Sequence, residues 1–489
     1  MKAFIAALFL ILLLHGEAAG AFLQVKGAFH VHTNFSTGAL SPEEVAAEAH
    51  REGIDSVIFA ENLLLHFEYG VFPLRGLLKK VVEKPSVLRR GIGRWLHALE
   101  AANARFPDVI LIPGVEVVPY YYWTGSPFRG DLTLRDTQKN LVVVGLRTAE
   151  DYRKLPAIGN GGTLSPPGPH LLQPALGLAL VGLGILLMRT EREQNIQLKH
   201  FLLKGRKRHR LSGWLALGAG TLFLLEAFSA SGLDPYQGDL GIGPYQRVID
   251  AAEARGGMVF WSYPEARDFH TVRSGLVGTL TIRTEPHPQA LLHSHGYTGF
   301  GAVYQDTVTL TEPGHEWDQL LLQYAEGRRG RPAWGIGEVG YHGPPNRLGN
   351  VLTVFLVSHQ SREGILEALK SGRFYSVRPK SDYRLVLEDF SIGHGGGSQW
   401  TPMGGEFEAS GKDPLRIRLR IGASDGRDVD VAVRLIRSGR LVDVRKGRTP
   451  FAETLKVMPP DRGRREFFRI EVAPPHRLLS NPIFVRSQA

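Results

Sequence analysis

Two apolar runs that flank a basic segment divide this chain and restrict the folds open to it. The runs cover residues 170–188 and 211–228. Each would span roughly 27 Å as a helix at about 1.5 Å per residue, close to the thickness of a bilayer core. Residues 189–210 between them are rich in Lys and Arg, which is typical of a cytoplasmic loop. The sequence therefore predicts a transmembrane helical hairpin, and a buried helical hairpin is the alternative.

The amino terminus predicts export. Residues 1–21 combine Lys2, an apolar run over residues 3–14 and small residues near position 20, which is typical of a signal peptide. With a signal peptide and one hairpin, both soluble parts would lie on the outer, periplasmic side of a membrane. We therefore expect a membrane protein whose partner is the lipid bilayer, which it contacts through the hairpin.

Composition narrows the classes of partner and of metal ligand. The chain has 489 residues, a net charge of +10 and no Cys. Much of the positive charge lies in the basic segment, and no zinc-finger spacing, RNP motif or zipper is present, so we expect no nucleic-acid partner. Without Cys, any bound metal must be held by His, Asp or Glu.

Strand and helix patterns alternate on both sides of the hairpin. Residues 22–160 and 232–380 are therefore predicted to form one α/β domain that the hairpin interrupts. The pattern changes over residues 381–489, where apolar and polar residues alternate strictly, as in 415–421. This alternation predicts an antiparallel β-sandwich at the carboxyl end.

A pair of histidines ends the first predicted strand. His30 and His32 are two residues apart, so a regular strand places both imidazoles on one face. Neutral imidazoles are common ligands of divalent metals. The pair alone is a weak signal, because His293 and His295 form a second one, and an ordinary structural histidine pair is the alternative.

Several segments together resemble the PHP (polymerase and histidinol phosphatase) superfamily, in particular its extracytoplasmic metallohydrolases similar to carbaryl hydrolase. The segments are His30-Val31-His32-Thr33 with Ser36 and Gly38, Pro113-Gly114-Val115-Glu116 at a strand end, and residues 362–373, 468–472 and 480–485. The resemblance implies an α/β fold, a distorted (β/α)7 barrel of the PHP type. Here the transmembrane hairpin would interrupt that barrel, and a C-terminal antiparallel β-sandwich would follow it.

The resemblance also implies a metal site, from which this sequence departs at several positions. Three residues match metal ligands of the family, namely His30, His32 and Glu116. At further ligand positions the sequence has chemically able substitutes, which are Glu61, Glu338 and, two residues late, His342. Two other positions hold poor ligands that we assign to substrate binding, Asn140 and Tyr263. The candidate catalytic residues are Glu116 and Glu61.

Metal-assisted hydrolysis is the chemistry that the resemblance implies. A bound cation polarises a phosphoryl or carbonyl oxygen and lowers the pKa of a water molecule. The ligand set suits one or two divalent ions, with zinc or manganese favoured because two imidazoles take part. We expect an exported, membrane-tethered hydrolase of phosphoesterase type that acts on a small phosphoester or ester. The alternatives are a non-catalytic PHP-like domain that binds a ligand or partner, and a structural protein of the envelope.

Overall fold

The computed structural model describes residues 22–72, 74–161, 172–198, 201–229, 233–274, 278–305, 308–380, 382–395 and 399–488. The predicted signal peptide, residues 1–21, lies outside this part of the chain. Export and a periplasmic location therefore stay predictions.

Helices begin and end at residues that favour those positions. Helix α1 (Pro42–Glu52) starts after Ser41, whose hydroxyl accepts a hydrogen bond from the backbone of Glu44, and it ends at Gly53 with a left-handed φ of 64°. The helices that follow are α2 (Val87–Arg90), α3 (Ile92–Arg105), α4 (Ala149–Arg153), α5 (Leu172–Arg189), α6 (Arg210–Ser229), α7 (Gly243–Glu253), α8 (Gln289–His293), α9 (Glu316–Ala325) and α10 (Arg362–Ser371). Short 3-10 turns cover Pro127–Arg129 and Leu348–Asn350.

Strands form on both sides of α5 and α6. The first part of the chain contributes β1 (Leu23–Val31), β2 (Ser56–Phe59), β3 (Glu61–Asn62), β4 (Leu65–Gly70), β5 (Lys79–Lys84), β6 (Ile110–Ile112), β7 (Gly114–Val117), β8 (Tyr122–Thr124), β9 (Thr133–Arg135) and β10 (Leu141–Val144). Strands β11 (Glu191–Leu198) and β12 (Phe201–Arg208) lie between the two helices. The second part contributes β13 (Met258–Trp261), β14 (Asp268–Ser274), β15 (Gly278–Thr284), β16 (Gly299–Val303), β17 (Trp334–Gly337), β18 (Leu352–Val357) and β19 (Phe374–Arg378).

The carboxyl-terminal part is rich in strands. These are β20 (Leu385–His394), β21 (Trp400–Pro402), β22 (Glu406–Ala409), β23 (Leu415–Ala423), β24 (Asp430–Arg437), β25 (Arg440–Arg448), β26 (Phe451–Val457), β27 (Arg465–Val472), β28 (Arg477–Ser480) and β29 (Ile483–Ser487). Strands β20, β21, β23 and β26 form a separate four-stranded sheet. The others belong to an eleven-stranded sheet that also contains β1, because β28 pairs with β19.

The segments before and after α5 and α6 share their sheets. Strand β1 pairs antiparallel with β18, and β10 pairs antiparallel with β13. Parallel pairs, such as β1 with β2 and β13 with β16, occur in the same two sheets. Around one continuous core, the neighbours in order are β1, β2 with β3, β6 with β7, β10, β13, β16 and β17, and Tyr341 just after β17 pairs in parallel with Val31 of β1. Strand β10 runs antiparallel to both β7 and β13, which departs from a regular βα repeat, where all neighbours are parallel.

The predicted transmembrane hairpin is wrong. The two apolar runs form α5 and α6, but among the described residues no helix is both long and apolar enough to cross a membrane. The prediction was based on the average hydropathy of each run. In the structure, glycines in the two runs allow close contact between α5 and α6. A Cβ added to Gly184 would lie 2.8 Å from the carbonyl oxygen of Gly213. The basic segment is also no simple loop, because the backbones of β11 and β12 pair antiparallel.

A buried ion pair joins the carboxyl-terminal strands to helix α9. Arg469 of β27 and Asp318 of α9 are both fully buried. The guanidinium donates from Nε to Oδ1 at 2.7 Å and from Nη2 to Oδ2 at 2.8 Å. Nη2 also donates to the carbonyl oxygen of Thr311 at 2.9 Å. This ion pair therefore connects the carboxyl-terminal strands to α9, and loss of either charged partner would lower the stability of the fold.

We predict that Asp318→Ala destabilises the protein by about 3–5 kcal/mol, because it leaves the buried guanidinium of Arg469 without its hydrogen-bonded counter-charge, with only Glu471 at 3.7 Å remaining. The measurement is the free energy of unfolding in urea. Asp382→Ala is the matched control, since it removes the partner of Arg427 from an exposed ion pair, and it should cause a much smaller change. Equal losses in both variants would contradict this account of the pair.

Candidate metal centre

The backbone bends sharply at His30, near the end of β1. Strand β1 pairs with β2 through Phe29 and again through Val31, and the register shifts between them, so His30 is the extra residue of a bulge. Its φ of 76° lies in the left-handed region. The backbone of Tyr341 holds both sides of the bend, because its N–H donates to the oxygen of His30 at 3.0 Å and its oxygen accepts from the N–H of His32 at 2.9 Å.

This bend brings three donor side chains together. His30 Nε2 lies 3.0 Å from His32 Nε2 and 3.5 Å from Oε1 of Glu116, and His32 Nε2 lies 3.8 Å from Oε2 of Glu116. All three side chains are buried, and their ligand atoms lie within 4.8 Å of one another. Glu116 reaches this point from β7, whose neighbour β3 lies directly after β2.

The outward nitrogens of both imidazoles have hydrogen-bond acceptors. His30 Nδ1 lies 3.1 Å from Oε1 of Glu338, and His32 Nδ1 lies 3.3 Å from the hydroxyl of Ser36. The Ser36 hydroxyl donates to Glu61, so it accepts from His32. With both protons placed on Nδ1, each Nε2 presents a lone pair toward Glu116.

Two amides fix the carboxylate of Glu116. Asn140 donates to Oε1 and Asn62 donates to Oε2, each at 2.7 Å. Each oxygen keeps a further lone pair, which is free to face the two imidazoles. Asn140 was predicted to bind substrate; it lies buried beside Glu116 and orients this carboxylate. Its own Oδ1 is a buried oxygen that has no hydrogen-bond partner within the described part of the chain.

Burial and neighbouring charges shift the pKa values of the three residues in different directions. Burial lowers the pKa of His32 well below its ordinary value, helped by the nearby imidazole of His30, so His32 is neutral at pH 7. Burial also acts to lower the pKa of His30, but the carboxylates of Glu116 and Glu338 outweigh it and raise that pKa. Burial raises the pKa of Glu116.

Glu61 lies close to the cluster but is used by its own neighbours. Its Oε1 accepts from the backbone N–H of Thr33 at 2.9 Å and from the Thr33 hydroxyl, and its Oε2 accepts from Ser36. Burial raises the pKa of Glu61 to about 7, despite these hydrogen bonds. Glu61 therefore holds the loop after His32 in place, and its predicted role as a ligand or catalytic group stays a prediction.

Glu338 supports His30 from behind. Besides the contact with His30, its Oε2 accepts from the backbone N–H of Tyr263 at 3.0 Å. Gly301 on β16 makes room for this carboxylate, since a Cβ there would lie 1.8 Å from Oε2. Glu338 is therefore placed to orient His30 from behind, as residues hydrogen-bonded to metal-binding histidines commonly do. Its role as a direct ligand stays a prediction.

His342 and Tyr263 lie against the two imidazoles and are less buried than they are. The ring of His342 is exposed and stacks on His32 with centroids 4.2 Å apart, and its Nδ1 lies 3.2 Å from the hydroxyl of Thr37. The ring of Tyr263 is half-buried, with its centroid 5.1 Å from that of His30. These two residues therefore contact the two imidazoles, and their predicted roles stay predictions.

Sequence reasoning missed three residues that shape the site. Asn62 directly follows Glu61, and Ser36 lies inside the motif around the histidines. Their positions next to candidate site residues are the signal by which both could have been found. Gly301 has no local signal, because its importance comes from a carboxylate that lies far away in the sequence.

The donor set fits a divalent cation. Tetrahedral zinc ligands lie about 2.0–2.1 Å from the metal, which places neighbouring donors roughly 3.3–3.4 Å apart. The distances of 3.0, 3.5 and 3.8 Å among the three donors are close to that spacing. Two imidazoles and one carboxylate with a position left for water is also a common set for catalytic zinc.

Comparisons with known proteins give weak structural similarity only. No protein-family model and no curated sequence matches the chain. A two-domain Bacteroides vulgatus protein predicted to contain a PHP-like metal-dependent phosphoesterase is 11% identical, with 95% of each chain covered and a TM-score of 0.35. A candidate metal-dependent phosphoesterase from Bifidobacterium adolescentis is 14% identical, with 70% of this chain and 95% of that chain covered and a TM-score of 0.29.

A third solved structure is an amidohydrolase from Chromobacterium violaceum with bound sulfate and no metal. It is 14% identical, with 73% of this chain and 98% of that chain covered and a TM-score of 0.30. Similarity at this level does not establish a shared fold. The function of this chain is therefore argued from its own residues.

We predict that Gly301→Ala weakens zinc binding by roughly 10–100-fold, the range found when a residue that orients a metal ligand is lost. The new methyl group would displace Glu338 and release Nδ1 of His30. Titration calorimetry with zinc measures the effect, and circular dichroism confirms that the variant is folded. Gly422→Ala on β23 is the control, because it also crowds a carboxylate, that of Glu388, but on a strand of the separate four-stranded sheet. Unchanged affinity in Gly301→Ala would contradict the role of Glu338.

Proposed function

We propose that this protein is a metal-dependent hydrolase that binds one divalent cation, zinc or manganese, through His30, His32 and Glu116. The observation that carries the proposal is the convergence of two imidazole nitrogens and a carboxylate oxygen in a buried site. With the ring protons on Nδ1, the lone pairs of these donors would repel one another at close range unless a cation lay between them. Imidazole and carboxylate together favour zinc or manganese over calcium, which prefers oxygen ligands alone.

One cation is proposed because the other carboxylates have hydrogen-bond donors on both oxygens. Thr33 and Ser36 supply the donors to Glu61, and His30 and the backbone of Tyr263 face Glu338. A second cation would have to replace several of these hydrogen bonds. The residues that were expected to complete a larger ligand set therefore support the first site.

A bound divalent cation supplies Lewis acidity, which polarises a phosphoryl or carbonyl oxygen and lowers the pKa of water. The protein supplies the orientation. Glu338 and Ser36 hold the protons of the two imidazoles on Nδ1, so that both Nε2 atoms remain available. Asn62 and Asn140 fix the carboxylate of Glu116. The surrounding buried residues exclude bulk water, which strengthens each of these electrostatic contacts.

A small phosphoester is the proposed substrate class, on the basis of the PHP-like segments in the sequence. His342 and Tyr263 lie against the imidazoles of the cluster, and both carry polar groups that are able to contact a phosphoryl oxygen. A carboxylic ester is the second substrate to test, because the same cation chemistry acts on a carbonyl group.

The alternative function is a binding protein that holds the cation without hydrolysis. One observation favours it: Glu61, a candidate catalytic residue beside the cluster, accepts hydrogen bonds on both oxygens from Thr33 and Ser36. A general base has to reach the proton that it removes. To act in catalysis, Glu61 would first have to give up one of its hydrogen bonds from Thr33 or Ser36. Binding of the cation alone does not require this change.

We predict that the wild-type chain binds close to one equivalent of zinc and that His32→Ala and Glu116→Gln each weaken binding by more than about 100-fold. Loss of a direct ligand should exceed the 10–100-fold effect of losing an orienting residue. Elemental analysis and titration calorimetry on the full chain measure stoichiometry and affinity. His359→Ala, an exposed histidine that lies outside the cluster, is the control.

Hydrolysis of p-nitrophenyl phosphate, bis-p-nitrophenyl phosphate and p-nitrophenyl acetate then separates enzyme from binding protein. An enzyme should lose turnover in proportion to bound metal in both variants. A chain that binds zinc tightly but hydrolyses none of these compounds would replace the proposal with the binding function. Failure of the wild-type chain to bind zinc or manganese would overturn both.

A further inference from the structure

The turn after β4, the β8–β9 loop and the paired ends of β14 and β15 lie at the same end of the molecule. Strands β9 and β15 run parallel with Thr133 opposite Thr281, so the β8–β9 loop, which precedes β9, lies at the same end as the start of β15, where Gly278 pairs with Ser274 of β14. Side chains of β4 and β8 also lie in register: Phe67 contacts Tyr121, and Tyr69 contacts Trp123, at 5.2 and 5.0 Å between ring centroids. The turn after β4 therefore lies at that same end.

Large apolar side chains on these segments face solvent. Phe128 in the β8–β9 loop is 97% exposed, and Phe72 after β4 is 74% exposed. Val71, which precedes Phe72, and Leu78 in the same turn are each 57% exposed, and Val272 on β14 is 42% exposed. Isolated exposed apolar residues are ordinary, but a group at one end of a protein marks an interaction surface.

Basic residues accompany these apolar residues. Residues 71–82 include Arg75, Lys79 and Lys80 and contain no acidic residue. Arg273 lies next to Val272 on β14. The guanidinium of Arg75 lies 5.6 Å from the ring centroid of Phe72, so charge and apolar surface are presented together. This combination suits a partner that is apolar inside and negatively charged at its surface.

The turn after β4 is held in position by helix α6. Glu226, near the end of that helix, accepts hydrogen bonds from the backbone N–H groups of Gly76 at 2.6 Å and Leu77 at 3.1 Å. Trp123 also donates from its indole to the backbone oxygen of Glu68 at 2.8 Å. The exposed side chains are therefore carried by an ordered turn, and their arrangement is fixed before any partner binds.

We propose that this end of the molecule, which we call the tip surface, binds the surface of an anionic lipid bilayer. The tip surface consists of Val71, Phe72, Leu78, Phe128 and Val272, with their basic neighbours. The apolar side chains would enter the boundary between headgroups and acyl chains, and the basic side chains would contact the headgroups. The tip surface consists of separate segments. A fluid lipid surface can adapt to such segments, whereas a folded protein partner would need one continuous complementary face. The proposal requires no helix to cross the bilayer and is independent of the hydrolase assignment.

The absence of Cys from the sequence allows a direct test. Phe128→Cys is labelled in the full chain with an environment-sensitive fluorophore and mixed with vesicles of phosphatidylcholine, with or without phosphatidylserine. We expect a blue shift, and quenching by nitroxide-labelled lipid, with the phosphatidylserine vesicles. Val442→Cys on β25, also exposed, is the control and should show neither effect.

Three results would overturn the proposal. The first is an unchanged spectrum at position 128, and the second is an equal change at position 442. The third is a shift at position 128 that grows with protein concentration in the absence of vesicles, which would make the tip surface an interface between two copies of this chain.

The charge contribution is tested separately on the labelled chain. Lys80→Gln combined with Arg273→Gln should raise the lipid concentration at half-maximal signal roughly thirtyfold, the factor expected for two lost basic contacts with an anionic leaflet. Arg440→Gln combined with Lys446→Gln removes the same charge from exposed positions on β25 and should have little effect. Equal effects of the two pairs would show that net charge, and not the tip surface, determines binding.

Discussion

The left-handed backbone at His30 is the constraint on which the rest of the site depends. A residue with a Cβ has a conformational cost of about 1–2 kcal/mol there, so neighbouring contacts have to maintain it. Tyr341 supplies them by accepting from one side of the bend and donating to the other. The position of the first imidazole therefore depends on the segment that follows β17. Both ends of the α/β region thus have to be in place before the three donors can meet.

The buried carboxylates link metal binding to the stability of the fold. Glu61, Glu116 and Glu338 lie around two imidazoles in the interior, and burial raises the pKa values of Glu61 and Glu116. Each negative charge in such an environment costs free energy unless a positive charge compensates it. A cation at the cluster would do so, and would then stabilise the native chain by the free energy of its own binding. Metal binding and folding would accordingly be coupled through the same residues.

Local patterns in the sequence predicted local elements well. The alternation over 415–421, for example, corresponds to β23. The segments carrying His30, His32 and Glu116 were recognised, although the regular strand that was invoked for the histidines is a bulge. The features that the sequence did not predict depend on contacts between residues that are far apart in the chain. The use of glycines in α5 and α6 for helix contact, and the space at Gly301 for Glu338, depend on residues remote in sequence.

The pairing of β19 with β28 has a consequence for the order in which the chain is made. Tyr375 has its partner in Ser480, so the edge of β19 stays open on the ribosome until residue 480 has been synthesised and released from the exit tunnel. Until then the nascent chain carries an unpaired edge strand, which is prone to pair with other chains. Translation speed near residue 480, and protection of this edge by chaperones, would therefore influence the yield of native protein.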